Sequence, residues 1–280
     1  MPKGNTYGNL DLPSGKKHIE RFGPSESALA QFLFPFAWRD VTFIFDDFTG
    51  GNNQEATVAD FQESLWQDGN YANGTSFRVP ATQLAGGVCQ GVTGAVGTDT
   101  TALWGMHTWL GDQSCGMEMR YKIDNLDDVQ FEIGFSDPYA DQKETGIADI
   151  DTPTFTSGTD DVALIGMDTS EELQTQAFVT DGSTGNMNAT KTNLGTRTPT
   201  NATYQVVRIQ LERVSSAVAA SNGYIFDQNG WLQEQAHHGA VLASQIKGDV
   251  LLGPLIVVEA VTTSARTTDI DYLAVWQERV

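Results

Sequence analysis

The chain has 280 residues, 40% of them hydrophobic and 10% aromatic, which is enough apolar material for one large core or two small ones. It carries 16 Lys and Arg against 36 Asp and Glu, a formal charge of −20. Such a field repels nucleic acid and anionic membrane, and no basic stripe offsets it, so neither is expected as a partner.

The charge is unevenly spread. Residues 1–40 hold five basic residues (Lys3, Lys16, Lys17, Arg21, Arg39) against four acids, and the remaining 240 hold eleven against thirty-two, so the acidity belongs to the body. The opening stretch is rich in Gly, Pro, Asn and Ser and has no apolar h-region, so it does not read as a signal peptide, and synthesis and folding in a cytoplasm are expected. Ser25 is placed to cap a short helix that carries Ala28, Leu29, Phe32 and Leu33 on one side, in an apolar run that continues to Phe34. Residues 1–40 therefore read as an arm with one sticky helix, its contacts made by Lys16, Lys17, Arg21 and those apolar residues on the body or on a partner.

From residue 41 the period is two. "VTFIF" (41–45) and "FRVPA" (77–81) are the first strand candidates. In "MEMRYKI" Met117, Met119, Tyr121 and Ile123 alternate with polar residues, and in "VQFEIGFS" Val129, Phe131, Ile133 and Phe135 do the same. The "DNLDD" between them has hairpin length and predicts that these two strands are antiparallel neighbours. Further candidates are 161–167, 176–180, "VVRIQLER", 223–227, 254–261 and the closing "TTDIDYLAVWQERV", where the alternation places Ile270, Tyr272, Ala274 and Trp276 on one face. No apolar run reaches the roughly 18 residues of a membrane-spanning helix. Short strands between Gly, Asn and Asp turns predict an all-β, antiparallel two-sheet sandwich over 41–280.

Sites are less legible. Cys89 and Cys115 stand 26 apart without a CxxC and read as ordinary buried thiols. Three glycosylation sequons, at Asn73, Asn188 and Asn201, have meaning only on a secretory path. Adjacent His237 and His238 point to opposite faces of a strand and cannot share one metal. Asp149 and Asp151 are the better candidates for Ca²⁺ in an oxygen-rich loop, but no EF-hand spacing supports them, and neither metal nor cofactor is expected. Trp104, Trp109 and Trp231 are the candidate platforms for a sugar ring, with core packing the competing role.

The succession "MRYKIDNLDDVQFEIGFSDP", "VVRIQLER", "GYIFDQNGWL" and "LLGPLIVVEAVTTSARTTDIDYLAVWQER" resembles the concanavalin A-like (LamG-type) jelly roll, particularly in structural proteins of tailed bacteriophage virions. The matching positions are Glu132, Gly134, Asp137, Tyr224, Gly230, Asp271, Tyr272, Trp276 and Gln277. The family also includes β-glucanases, which carry E-x-D-x-x-E or E-x-D-x-E on one strand because a retaining glycosidase needs two carboxyls about 5 Å apart. None of the thirteen glutamates here is followed two residues later by aspartate, so no enzymatic activity is expected. The resemblance implies a virion protein that decorates a phage capsid, held on the major capsid protein through residues 1–40, with a homo-oligomer, a trimer among its forms, as the assembly. The competing implication is a receptor module of a head or tail fibre that binds a cell-surface glycan, with a degenerate glycosidase third.

Overall fold

The structure is a computed structural model that describes residues 41–48, 66–71, 73–80, 87–137, 145, 147–150, 154–155, 161–169, 176–182, 190–194, 199–238 and 246–278. The arm residues Lys16, Lys17, Arg21, Leu29, Phe32, Leu33 and Phe34 lie outside them. In chain order the strands are β1 (Val41–Asp46), β2 (Trp66–Tyr71), β3 (Thr75–Arg78), β4 (Cys89–Val92), β5 (Asp99–Gly105), β6 (Trp109–Leu110) and β7 (Gly116–Ile123). Then come β8 (Val129–Ser136), β9 (Ile147–Asp149), β10 (Thr154–Phe155), β11 (Asp161–Asp168), β12 (Ala177–Gly182) and β13 (Thr190–Asn193). The last six are β14 (Gln205–Ser215), β15 (Val218–Phe226), β16 (Leu232–His238), β17 (Ile246–Lys247), β18 (Leu251–Ala260) and β19 (Thr267–Glu278).

Two antiparallel sheets face each other. The first runs β16-β15-β14-β7-β19-β4-β3, with β1 beside β19 and β17 beside β15; the second runs β13-β12-β11-β8-β18-β5-β2, with β6 beside β18. The period-two pattern is the cause, because alternate side chains of each half-buried strand must find a second apolar face. Met117, Met119 and Tyr121 of β7 meet Phe131, Ile133 and Phe135 of β8 in the central core, and the Tyr121 and Phe131 rings lie 5.7 Å apart. Each such side chain removed from water contributes roughly 1.5–3 kcal/mol.

That arrangement corrects the expected hairpin. β7 pairs with β14 and β19, whereas β8 pairs with β11 and β18, so "DNLDD" carries the chain from one sheet to the other and the two strands pack face to face. Alternation identified the buried face of each strand, and it carries no information about which strand lies alongside.

The last strand also departs from simple alternation. Ile270 pairs with Tyr121 and Tyr272 with Arg120, so Asp271 is the extra residue of a β-bulge. Beyond it Leu273 and Val275 point into the central core with Ile270, while Ala274 and Trp276 pack on the outer face with Phe43 and Phe45 of β1. Gly116 opposite leaves room for the indole: a Cβ there would sit 2.6 Å from Trp276 Cζ2.

The second sheet's outer face is apolar as well. Val162, Leu164, Val179 and Val257 form a second cluster with Ile147 and Ile150 of the segment that includes β9. Glu132, 0% exposed on that face, accepts from the Ile147 backbone N–H at 2.8 Å, which fastens the segment down.

Candidate functional site

The cleft lies at one end of the sandwich, between two loops that the local sequence makes rigid. On one side, residues 199–204 lead into β14. Thr203 N–H donates to Thr200 C=O at 3.1 Å, Ala202 N–H to the Ile123 carbonyl at 2.8 Å, and Asn201 Oδ1 accepts from Leu126 N–H at 3.0 Å. These bonds tie the loop to the crossover between the sheets. On the other side "DQNGW" turns β15 into β16. Asp227 Oδ1 accepts from the N–H groups of Asn229 (2.8 Å) and Trp231 (3.0 Å), an Asx-type turn, and Gly230 takes the φ of +80° that the reversal needs.

Between them opens a cleft of about 180 Å³. Pro199 gives it apolar surface, with the buried Ile225 behind; Thr200, Thr203, Tyr204, Gln205, Asp227 and the amides of Gln228, Asn229 and Gln233 give it hydrogen-bonding groups. Trp231, 62% exposed, stands on the same turn, and Gln233 Nε2 donates to its carbonyl at 3.0 Å.

Behind the cleft the polar groups are fixed. Gln205 Oε1 accepts from Tyr121 Oη–H and from Gln176 Nε2, both at 2.8 Å. Burial pushes the Tyr121 phenol far above its ordinary range, so that hydroxyl stays a donor. With its oxygen committed inward, the Gln205 amide has its NH₂ left to offer. Gln176 Oε1, fully buried one hydrogen bond behind, has no partner among the described residues.

Tyr204 is held from the side. The Arg120 guanidinium carbon lies 4.1 Å and Lys122 Nζ 4.8 Å from its ring centroid. Both cations are neutralised, Arg120 by Asp271 at 2.5 Å and Lys122 by Asp269 at 3.0 Å. Burial raises the Tyr204 phenol's pKa, Lys122 pulls it back and the two aspartates add to the rise. For Lys122, burial works against the charged form, but the hydrogen bond and charge of Asp269 outweigh it and raise the ammonium's pKa. Asp269 and Asp271 are thus structural anchors of an aromatic side chain, reached through a bulge that alternation alone does not reveal.

The three candidate tryptophans do not converge. Trp231 is exposed beside the cleft, Trp109 is 3% exposed in the central core, and Trp104 is half-buried beside the second sheet's outer cluster with its indole N–H donated to Gln67 Oε1 at 2.9 Å. Asp149 falls in β9, and Asp151 lies outside the described residues. No group of three or more His, Cys, Asp or Glu is arranged to hold a metal among the described residues. His238 reaches across the sandwich edge, its Nδ1 2.7 Å from Thr180 Oγ1 and its Nε2 2.9 Å from Thr192 Oγ1, while His237 contacts Asn222 on the opposite face. The residues that line the cleft were not singled out by the sequence, which pointed only to Trp231 beside them; "DQNG", a polar turn between two strands, was the available signal.

No protein-family model matches the chain, and no curated protein sequence does either. Solved structures do. A protein of unknown function from Shewanella oneidensis MR-1 superposes with a TM-score of 0.56 at 10% identity, over 85% of this chain and 87% of that one. A pseudo β-1,3-glucanase and immunostimulatory antigen of Mycobacterium tuberculosis gives 0.51 at 10% identity, over 84% and 98%. The carbohydrate recognition domain of Emp47p gives 0.50 at 10% identity, over 87% and 99%. The fold is a concanavalin A-like jelly roll. At this identity the likeness is one of fold, and function has to be argued from the site.

Proposed function

We propose that this chain is a non-catalytic carbohydrate-binding β-sandwich that takes a sugar in the cleft between the 199–204 loop and the β15–β16 turn. The observation that carries the reading is the cleft's inventory: amide, hydroxyl and carboxylate groups around Pro199 and the Tyr204 ring, on two hydrogen-bonded loops, beside an exposed indole. A pyranose presents alternating hydroxyls and an apolar C–H face, and it is bound by planar amides and carboxylates at its edge with an aromatic ring against its face. Rigid loops lower the entropy lost on binding. The lectin and glucanase neighbours make the reading compatible with the fold and do not supply it.

The non-catalytic part rests on the missing E-x-D signature and on how the buried glutamates are used. Glu118 is tied to Arg208 and Tyr272, and Glu132 to the Ile147 backbone. Glycan-array binding followed by titration calorimetry tests the proposal. Binding by the parent chain that is lost in Trp231→Ala and Tyr204→Ala, both still folded, is the expected result; an array with no bound glycan overturns it.

A second reading, capsid decoration through residues 1–40 on the surface of a phage particle, is carried by the charge division at residue 40. It expects the chain, as a homo-oligomer, to co-sediment with empty phage heads and to lose that binding when residues 1–40 are removed. The two readings are separable, because glycan binding is expected to survive that deletion.

A further inference from the structure

We infer that the cleft selects a terminal N-acetylated, uncharged sugar over the parent hexose and over acidic sugars. This rests on the carbohydrate-binding reading of the same cleft. Its volume, about 180 Å³, is below the roughly 300–1,000 Å³ of drug-sized pockets, a size that suits a single ring at the end of a glycan.

The choice of ring follows from which groups are still available. An acetamido group presents a carbonyl acceptor, an N–H donor and a methyl. Gln205 offers the matching donor, since its oxygen is engaged by Tyr121 and Gln176 and its NH₂ makes no hydrogen bond among the described residues. Asp227 offers the matching acceptor: Oδ1 holds the turn, while Oδ2 makes no hydrogen bond among the described residues. Pro199 supplies an apolar surface for the methyl. All three line the one cleft. A hexose hydroxyl can accept from Gln205 and donate to Asp227, but it must serve both through one oxygen and brings no methyl to Pro199, whereas an acetamido group meets the two through separate atoms and adds the apolar contact.

Charge sets the second preference. Asp227 is the charged residue of the lining, no Lys or Arg joins it, and the nearby Arg120 and Lys122 are already paired with aspartates. In a chain of net charge −20, a uronate or sialate carboxylate meets repulsion with no cation to answer it.

Titration calorimetry of the full chain with N-acetylglucosamine, N-acetylgalactosamine, glucose, galactose and glucuronate tests the inference. An N-acetyl sugar is expected to bind at least about tenfold more tightly than its parent hexose, with glucuronate weakest. Asp227→Asn keeps an oxygen to accept from the turn N–H groups and replaces the available acceptor with a donor, so it is expected to bring the N-acetyl preference to near parity. Gln205→Leu is the second variant, read only where its circular dichroism matches the parent. Equal affinity for glucose and N-acetylglucosamine, or tighter glucuronate, overturns this inference and leaves the carbohydrate-binding reading standing. No heat with any sugar, together with an empty glycan array, overturns both.

Discussion

Glu118 and Arg208 stand opposite each other in the register of β7 and β14, carboxylate oxygen to guanidinium nitrogens at 2.8–2.9 Å, with side-chain exposures of 0% and 1%. Tyr272 Oη–H donates to the other carboxylate oxygen at 2.8 Å, and the Phe226 ring lies 4.9 Å from the guanidinium carbon. Removing one partner of a buried pair leaves a charge with nothing to answer it, so Arg208→Met is expected to lower the unfolding free energy by about 3–5 kcal/mol. A Glu118→Met, Arg208→Met double variant is expected to recover much of that loss, because two apolar side chains carry no desolvation penalty. Urea unfolding of the parent, the two single variants and the double variant closes the cycle; a double variant no better than the worse single variant contradicts it.

Asp271 is the extra residue of the bulge, and its side chain and its backbone can be tested apart. Its carboxylate pairs with Arg120 at a site where both side chains are 26% exposed, so Asp271→Ala is expected to cost under about 1 kcal/mol. Deleting Asp271 tests the backbone. Ile270 stays opposite Tyr121 and Tyr272 opposite Arg120, now without the extra residue between them, so Leu273 and Val275 keep their places in the central core and Ala274 and Trp276 theirs on the outer face. The deletion variant is expected to keep a cooperative unfolding transition in circular dichroism, and loss of that transition would show that the bulge itself is required for the strand to pair.

The same bulge marks what the sequence could reveal. "MEMRYKI", "VQFEIGFS" and "VVRIQLER" read as half-buried strands because one face of each meets a core and alternation records that physical fact. β2, "WQDGNY", escaped because Asp, Gly and Asn obscure the period. The pairing of β7 with β14 and β19 was out of reach, since those partners come from residues about 90 and 150 positions away and an apolar face fits any apolar face. Of the cleft's surroundings only Trp231, beside it, was legible. The lining groups sit on loops or at strand ends, where polar residues also serve simply as turn formers, and only the fold brings Gln205 and Asp227 to one cleft.

Acid is expected to loosen the edge that His238 fastens. Burial, with the His237 charge adding to it, lowers the His238 pKa from 6.5 to about 4. The unfolded chain takes up the proton near the ordinary value and the folded chain only near 4, so protons favour unfolding: the contribution is fully present above 6.5 and is lost as the pH falls from there toward 4. Carboxylates titrate in the lower part of that window as well. The comparison that isolates the imidazole is therefore the fall in urea midpoint between pH 7.5 and 5 in the parent against His238→Gln. The parent is expected to fall more, and equal falls would assign the acid sensitivity elsewhere.

Thiol chemistry offers a probe of how firmly the two sheets are held. Cys89 and Cys115 form no disulfide and are both 0% exposed in the central core. Burial drives the Cys115 pKa far above its ordinary value, and since the thiolate is the nucleophile, that side chain has neither the access nor the ionisation to react. Labelling with a disulfide reagent at neutral pH is expected to be negligible on the folded chain and to reach two thiols in denaturant. Cys89 sits on β4, next to β3 at the end of the first sheet, whereas Cys115 immediately precedes β7 near the middle, with its carbonyl accepting from Leu211 N–H at 2.7 Å. Opening from the edge therefore exposes Cys89 first. In moderate denaturant Cys89 is expected to label faster than Cys115, as read by peptide mass, and equal rates would mean that the two sheets separate in a single step.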